Sequence, residues 1–218
     1  MSGDYSRKRF NPEKHYQGVL RQQGRVDLDA DWNEYVDLQD RRWRAETIDV
    51  VGRCGVPAET PEGFKIDVSG GELTLGQGRM YVDGYVAENH GTAPALDATI
   101  EEQYGTAALS VKDQPFGGPV TVPPQVRSLV YLDVWRREVT YLQAPDLIEP
   151  AVNVDTTSRN QTAWQVRILS GIPADVNCET PLEDIPGWPT GNRLSSARLT
   201  TTTVAVTTDP DPCLVPPT

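Results

Sequence analysis

Two hydrophobic periods divide this chain. From Asp29 to Val51 no Pro or Gly interrupts, and Trp32, Val36, Trp43, Ile48 and Val51 approximate one stripe at helical spacing, with Asp37, Asp40, Arg41, Arg42, Arg44 and Glu46 mostly elsewhere. The pattern predicts a long amphipathic helix, about 35 Å at roughly 1.5 Å per residue. Asp29 or Asp31 starts it, since either carboxylate accepts hydrogen bonds from the first free N–H groups. Gly52 or Gly55 ends it, and the helical segment is set at 29–55.

After Pro57 the period changes to two. Phe64, Ile66 and Val68 alternate with polar residues, and Ser69-Gly70-Gly71 turns the chain into Glu72–Leu75. Gly76-Gln77-Gly78 leads into Arg79–Val82, and Asp83-Gly84 joins that run to Tyr85–Ala87, a strong hairpin signal. Residues 90–127 are weakly patterned and read as loops around one or two short strands. Ser128–Trp135 and Val139–Leu142 have the β-branched and aromatic density of core strands; the pattern leaves open whether Arg136–Glu138 turns the chain or continues it. Gln161–Leu169 alternates Trp164, Val166 and Ile168 with polar partners, and Leu199–Thr207 is a Thr- and Val-rich strand candidate. Residues 171–193 are rich in Pro and Gly and read as loop. The expected fold is mainly β with one long N-terminal α-helix. Its parts are an extended basic docking arm at 1–28, the helix at 29–55, and at 60–218 a β-rich domain of antiparallel strands and hairpins with long loops.

Charge sharpens the division. Residues 1–25 carry six Lys/Arg against two acids, residues 26–60 carry four against nine, and the whole chain is at −11. The overall sign excludes bulk phosphate binding, so no nucleic-acid partner is expected. A basic arm on an acidic body suggests docking onto an acidic neighbour, another copy of the same chain included. Residues 1–8 read as a flexible basic tip, Pro12 sets Asn11 extended, and Gln22-Gln23-Gly24-Arg25 reads as a turn. No window approaches 18 apolar residues, so no direct membrane insertion is expected.

Candidate chemistry is sparse. Asp27-Leu28-Asp29-Ala30-Asp31 has the opening spacing of a calcium loop, but Trp32 and Leu38 stand where such a loop needs its Gly and its bidentate Glu. Cys54, Cys178 and Cys213 are far apart and in no metal-binding spacing. His15 and His90 are the only histidines; His15, in a Lys-His-Tyr triplet, reads as a surface or packing residue rather than a base, and His90, between Asn89 and Gly91, sits in a turn context. We therefore expect no catalytic set, no cofactor and no metal. Trp32, Trp43, Trp135 and Trp164 fall in periodic elements and are expected in the core; Trp188, between Gly187 and Pro189, is the candidate for exposure and partner contact.

The densest signature is Arg9-Phe10-Asn11-Pro12, Lys14-His15-Tyr16, Gly18-Val19, Gln22–Val26 and Leu28–Glu34. In this order these residues resemble the N-terminal signature of a family of uncharacterised function encoded beside contractile, phage-tail-like injection systems in bacteria. Members of that family resemble baseplate, fibre or outer-shell proteins. Gly78–Gly84 is similar to a run common in tail and baseplate proteins, and members tend to continue past a segment like Cys213–Pro217 into further domains. The resemblance implies a structural component assembled in the bacterial cytoplasm into a large particle, which is released outside the cell or attached to a membrane. Its implied partners are baseplate, sheath or fibre subunits and copies of itself. The assembly interface is expected at Arg9, Phe10, His15, Tyr16, Arg21, Arg25, Asp29, Asp31 and Trp32. The rival expectation is a glycan-binding or polysaccharide-degrading tail protein that uses Trp188 and loop carboxylates.

Overall fold

The computed structural model describes residues 3–69, 72–91, 104, 108–118, 120–123, 125–177 and 180–189. The strand candidate at 199–207, Cys178 and Cys213 lie outside these residues. Among them there is one α-helix, α1 (Asp29–Val51), and ten strands: β1 (Cys54–Gly55), β2 (Ile66–Ser69), β3 (Glu72–Leu75), β4 (Gly78–Val82), β5 (Tyr85–Asn89), β6 (Leu109–Ser110), β7 (Ser128–Val139), β8 (Ile148–Glu149), β9 (Val154–Asp155) and β10 (Arg159–Ser170). The fold is mainly β with antiparallel sheets and a single long helix, as the two periods predict. It divides into two units, Met1–Gly52 with Arg136–Gln161, and Arg53–Trp135 with Thr162–Thr218.

The second unit holds the main core. β4 and β5 pair antiparallel with Val82 opposite Tyr85, and β1 adds to β4 through Cys54 opposite Val82. Asp83 and Gly84 both have positive φ, 47° and 78°, which is the backbone a two-residue hairpin turn requires. β2 and β3 pair from Ile66–Leu75 to Ser69–Glu72, with β6 on the other side of β3. Alternate residues of these strands (Leu73, Leu75, Met80, Val82, Ala87) enter one cluster with Phe64, Val130, Leu132, Trp164 and Val166. Phe64 is fully buried at φ 58°, in a turn rather than a strand, and meets the Trp164 ring edge-on at 4.9 Å between centroids. The loop carrying it lies hard against the chain ahead of β4. A Cβ on Gly76 would stand 2.0 Å from the Glu62 carbonyl oxygen, and one on Gly63 would stand 2.5 Å from that of Arg79. Gly76 is thus required by close backbone approach.

β7 runs unbroken through Arg136–Glu138, so that segment is strand and not turn. It is hydrogen-bonded to β10. Leu129 to Leu132 are all buried because two apolar clusters flank the strand. Val130 and Leu132 join the main core, while Leu129 joins Ile172, Val176, Leu182 and Ile185. The Pro- and Gly-rich stretch after β10 therefore builds an apolar cluster of its own, against the expectation of plain loop. Trp188 packs on that cluster with its ring 4.7 Å from Tyr131, and is not the exposed aromatic its neighbours Gly187 and Pro189 suggested. Trp164 is in the core as expected, its Nε1 donating to the Glu88 carbonyl at 2.8 Å.

In the first unit α1 ends at Val51 with Gly52 at φ 93° as its cap, and not at 55, where Cys54 and Gly55 are strand. Leu28 is the N-cap and offers no side-chain bond, so neither Asp29 nor Asp31 occupies the capping position. β8 and β9 form a small hairpin with Ile148 opposite Asp155. The predicted apolar stripe of α1 does not face a core. Only Ala30 and Leu38 are buried in the helix, while Trp32 is 61% and Trp43 is 70% exposed. The sheltered positions include Asn33, Asp37, Asp40 and Arg44, at helical spacing on another face. The predicted stripe is split, with Trp32, Trp43 and Val51 exposed and Val36 and Ile48 half-buried; polar pairing helps select the inward face.

Candidate docking site

Residues 3–28 are largely extended because they contain little that propagates a helix. Asn11 is in the β region, its side chain accepts from the Glu13 amide at 2.9 Å, and Pro12 opens a single 3-10 turn that His15 ends at φ 54°. The turn expected at Gln22–Arg25 forms, with the Arg25 amide donating to the Gln22 carbonyl at 3.3 Å and Gly24 at φ 68°. Arg21 and Asp27 close it across its base at 3.3 Å.

The three aspartates of the D-x-D-x-D run each take a different partner. Asp27 pairs with Arg21; Asp29 accepts from the Ser6 amide at 2.8 Å and the Ser6 hydroxyl at 2.7 Å; Asp31 pairs with Arg9. They do not converge on a common point. The Ser6 hydroxyl first, then the Ser6 amide, hold the Asp29 carboxyl below its ordinary value, with the helix N-terminal amides adding to the effect. The charge reversal from arm to helix start is therefore satisfied within one chain.

Within the segment read as a flexible tip, Gly3, Tyr5 and Ser6 are tied down. The Gly3 amide donates to Glu138 Oε1 at 2.8 Å, and the Tyr5 hydroxyl bonds both Glu138 and Ser158. The Tyr5 hydroxyl, then the Gly3 amide, lower the Glu138 pKa, while burial and then Glu138 itself raise that of Tyr5. Farther along α1, Asp40 receives Arg136 and Gln39 Nε2 donates to the Gln17 carbonyl at 3.4 Å. Sequence reasoning missed Tyr5, Glu138, Ser158 and Arg136, because their partners are more than 90 residues away and no local pattern marks them.

Of the nine expected interface residues, Arg9, Asp29, Asp31 and Arg21 make these internal bonds. Phe10 is half-buried, and His15 and Arg25 are exposed. Tyr16 is exposed, with Lys14 Nζ 5.7 Å from its ring centroid. Trp32 lies beside Tyr35, ring centroids 6.1 Å apart, and both are exposed. Between the turn and the start of α1 lies a groove of about 810 Å³ lined by Leu20, Val26, Leu28, Trp32, Tyr35 and Arg25 among others. Its size is that of a site for a peptide or small molecule. Leu20 and Val26 beside the turn are 93% and 83% exposed.

Nothing in this arrangement supplies a nucleophile with a base. His15 is on the exposed arm, and His90, in the other unit, stacks on Tyr104 with centroids 5.2 Å apart. Among the described residues no group of three or more His, Cys, Asp or Glu is placed to hold a metal ion, and no helix is long and apolar enough to cross a membrane. What the first unit offers chemically is a self-bonded polar scaffold that presents apolar and aromatic side chains outward.

No curated protein and no solved structure matches this chain significantly. One family model does match it, over residues 1–185, which takes in the arm, the helix and all ten strands. By that match the chain belongs to a family of unknown function, DUF6519.

Proposed function

We propose that this chain is a structural subunit of a contractile, phage-tail-like injection particle, seated at or around the baseplate and docked to neighbouring subunits through its N-terminal arm and helix. The likeness of residues 9–34 to the signature of proteins encoded beside such systems supplies the particle. The observation that supports docking is the outward face of α1, where Trp32 and Trp43 are 61% and 70% exposed. Burying a large apolar side chain stabilises by about 1.5–3 kcal/mol, a gain these residues do not realise within the chain. Exposed aromatics next to arginines are the composition of contact centres between proteins. The partners are baseplate, sheath or fibre subunits and further copies of this chain, and assembly takes place in the bacterial cytoplasm. The glycan-binding alternative leaned on Trp188, which packs against Tyr131, so no observation favours it.

The test is incorporation into particles. A chain lacking residues 1–34, or carrying Trp32→Asp with Trp43→Asp, is co-expressed with the particle genes, and purified particles are imaged by electron microscopy. The expected result is particles without this subunit. Normal incorporation of both variants, or hydrolysis of cell-surface polysaccharide by the purified chain, overturns the reading.

A further inference from the structure

We infer that the groove between the Gln22–Arg25 turn and the start of α1 is a self-association site, covered by the same patch of a second copy of this chain. The inference deepens the assembly reading and rests on it. Its first ground is where the apolar surface lies. Among the described residues, fourteen of the sixteen exposed large hydrophobics fall in the unit of residues 1–52 and 136–161, and the most exposed of all, Leu20 and Val26, flank the turn beside the groove. Of these, Leu20, Val26, Leu28, Trp32 and Tyr35 line the one groove, and apolar side chains gathered in this way mark an interaction surface.

Charge decides what covers it. The first unit holds twelve Lys/Arg against fourteen Asp/Glu, whereas the other holds eight against seventeen, so two copies of the first unit meet without the repulsion that two of the second unit carry. The patch also holds both signs in alternation: Arg21 with Asp27 at 3.3 Å, Arg9 with Asp31, and Arg25, which takes no ion pair among the described residues. A two-fold contact presents each residue to its counterpart's neighbours. Arg25 of one copy then faces the acids of the other, while Leu20 and Val26 lie over Trp32 and Tyr35.

The experiment uses the full 218-residue chain. Sedimentation velocity over a wide concentration range is run on the wild type and on Leu20→Asp with Val26→Asp. Both positions are so exposed that the fold has no reason to change, which circular dichroism verifies. The wild type is expected to associate reversibly, and the double variant to bind itself at least about 100-fold more weakly, two apolar side chains having lost their cover. Location is read separately. A photo-crosslinking side chain at position 20, in a mixture of isotopically light and heavy chains, is expected to give light–heavy links to residues 31–35. A wild type that stays monomeric throughout, or light–heavy links confined to other segments, overturns the inference. If such a monomer still enters particles through its arm, the self-association site is wrong while the assembly reading stands. If the wild type associates through this patch but never enters particles, the reverse holds.

Discussion

Arg136 grips Asp40 of α1 with both ends of its guanidinium, Nη1 to Oδ2 at 2.6 Å and Nη2 to Oδ1 at 2.9 Å, across 96 positions of sequence. Both side chains remain about one-third exposed, 32% and 30%. The paired geometry makes this stronger than an ordinary surface ion pair, and the exposure keeps it modest. Arg136→Met is expected to cost about 0.5–1.5 kcal/mol in urea denaturation. The charge swap Arg136→Asp with Asp40→Arg is expected to recover part of the loss of either single change, read as a positive coupling in the double-mutant cycle.

The arm should come loose in acid. Asp29 and Glu138 both have folded pKa values below their ordinary 3.8 and 4.5. For a carboxyl lowered on folding, the stabilisation is complete above the ordinary value and disappears as pH falls through the folded one. Hydrogen exchange at the Gly3 and Ser6 amides is therefore expected to be protected at pH 6 and to lose that protection progressively as pH falls below the ordinary carboxyl values and through the folded ones. Glu138→Gln keeps a carbonyl acceptor for the Gly3 amide but cannot ionise, so it should remove the pH dependence at Gly3, and a wild type whose protection does not fall with pH would contradict the assignment.

Gly76→Ala places a Cβ 2.0 Å from the backbone oxygen of Glu62, which has no side-chain freedom with which to yield. A loss of about 2–3 kcal/mol is expected, as for overpacking of a tight core. Gly18→Ala, where nothing lies within 4 Å, should be near neutral. The shift in denaturation midpoint of the two variants checks the contrast.

Phe64→Ala empties a fully buried site beside Trp164 and is expected to cost about 3–5 kcal/mol. Trp43→Ala, on the exposed face of α1, should cost less than about 0.5 kcal/mol in the isolated chain. The same stability measurement on both separates a core aromatic from a docking one. A large loss for Trp43→Ala would mean that the helix face is covered within the chain.

Much of the architecture was readable before any coordinate. Uninterrupted helical spacing marks α1, Asp83-Gly84 marks its hairpin, and the alternation at 72–82 marks β3 and β4, because each depends on backbone preferences acting over a few residues. The stretch at 171–189 was not readable: Ile172, Val176, Leu182 and Ile185 follow no period, and only their convergence on Leu129 makes them a core.

The arm and the start of the helix show the same division. The sequence by itself determined that residues 9–34 place an arginine-rich extended segment ahead of an aspartate-rich helix start, and that aromatics share one helix face. Only the tertiary structure decided that the opposite charges meet within one chain, Arg9 on Asp31 and Ser6 on Asp29, and that Trp32 and Trp43 are left facing out. Local propensity acts through a few neighbouring dihedrals and is written residue by residue. Which face of a helix is covered depends on groups brought from far along the chain, Arg136 to Asp40 among them, and that information exists only once the chain has folded back on itself.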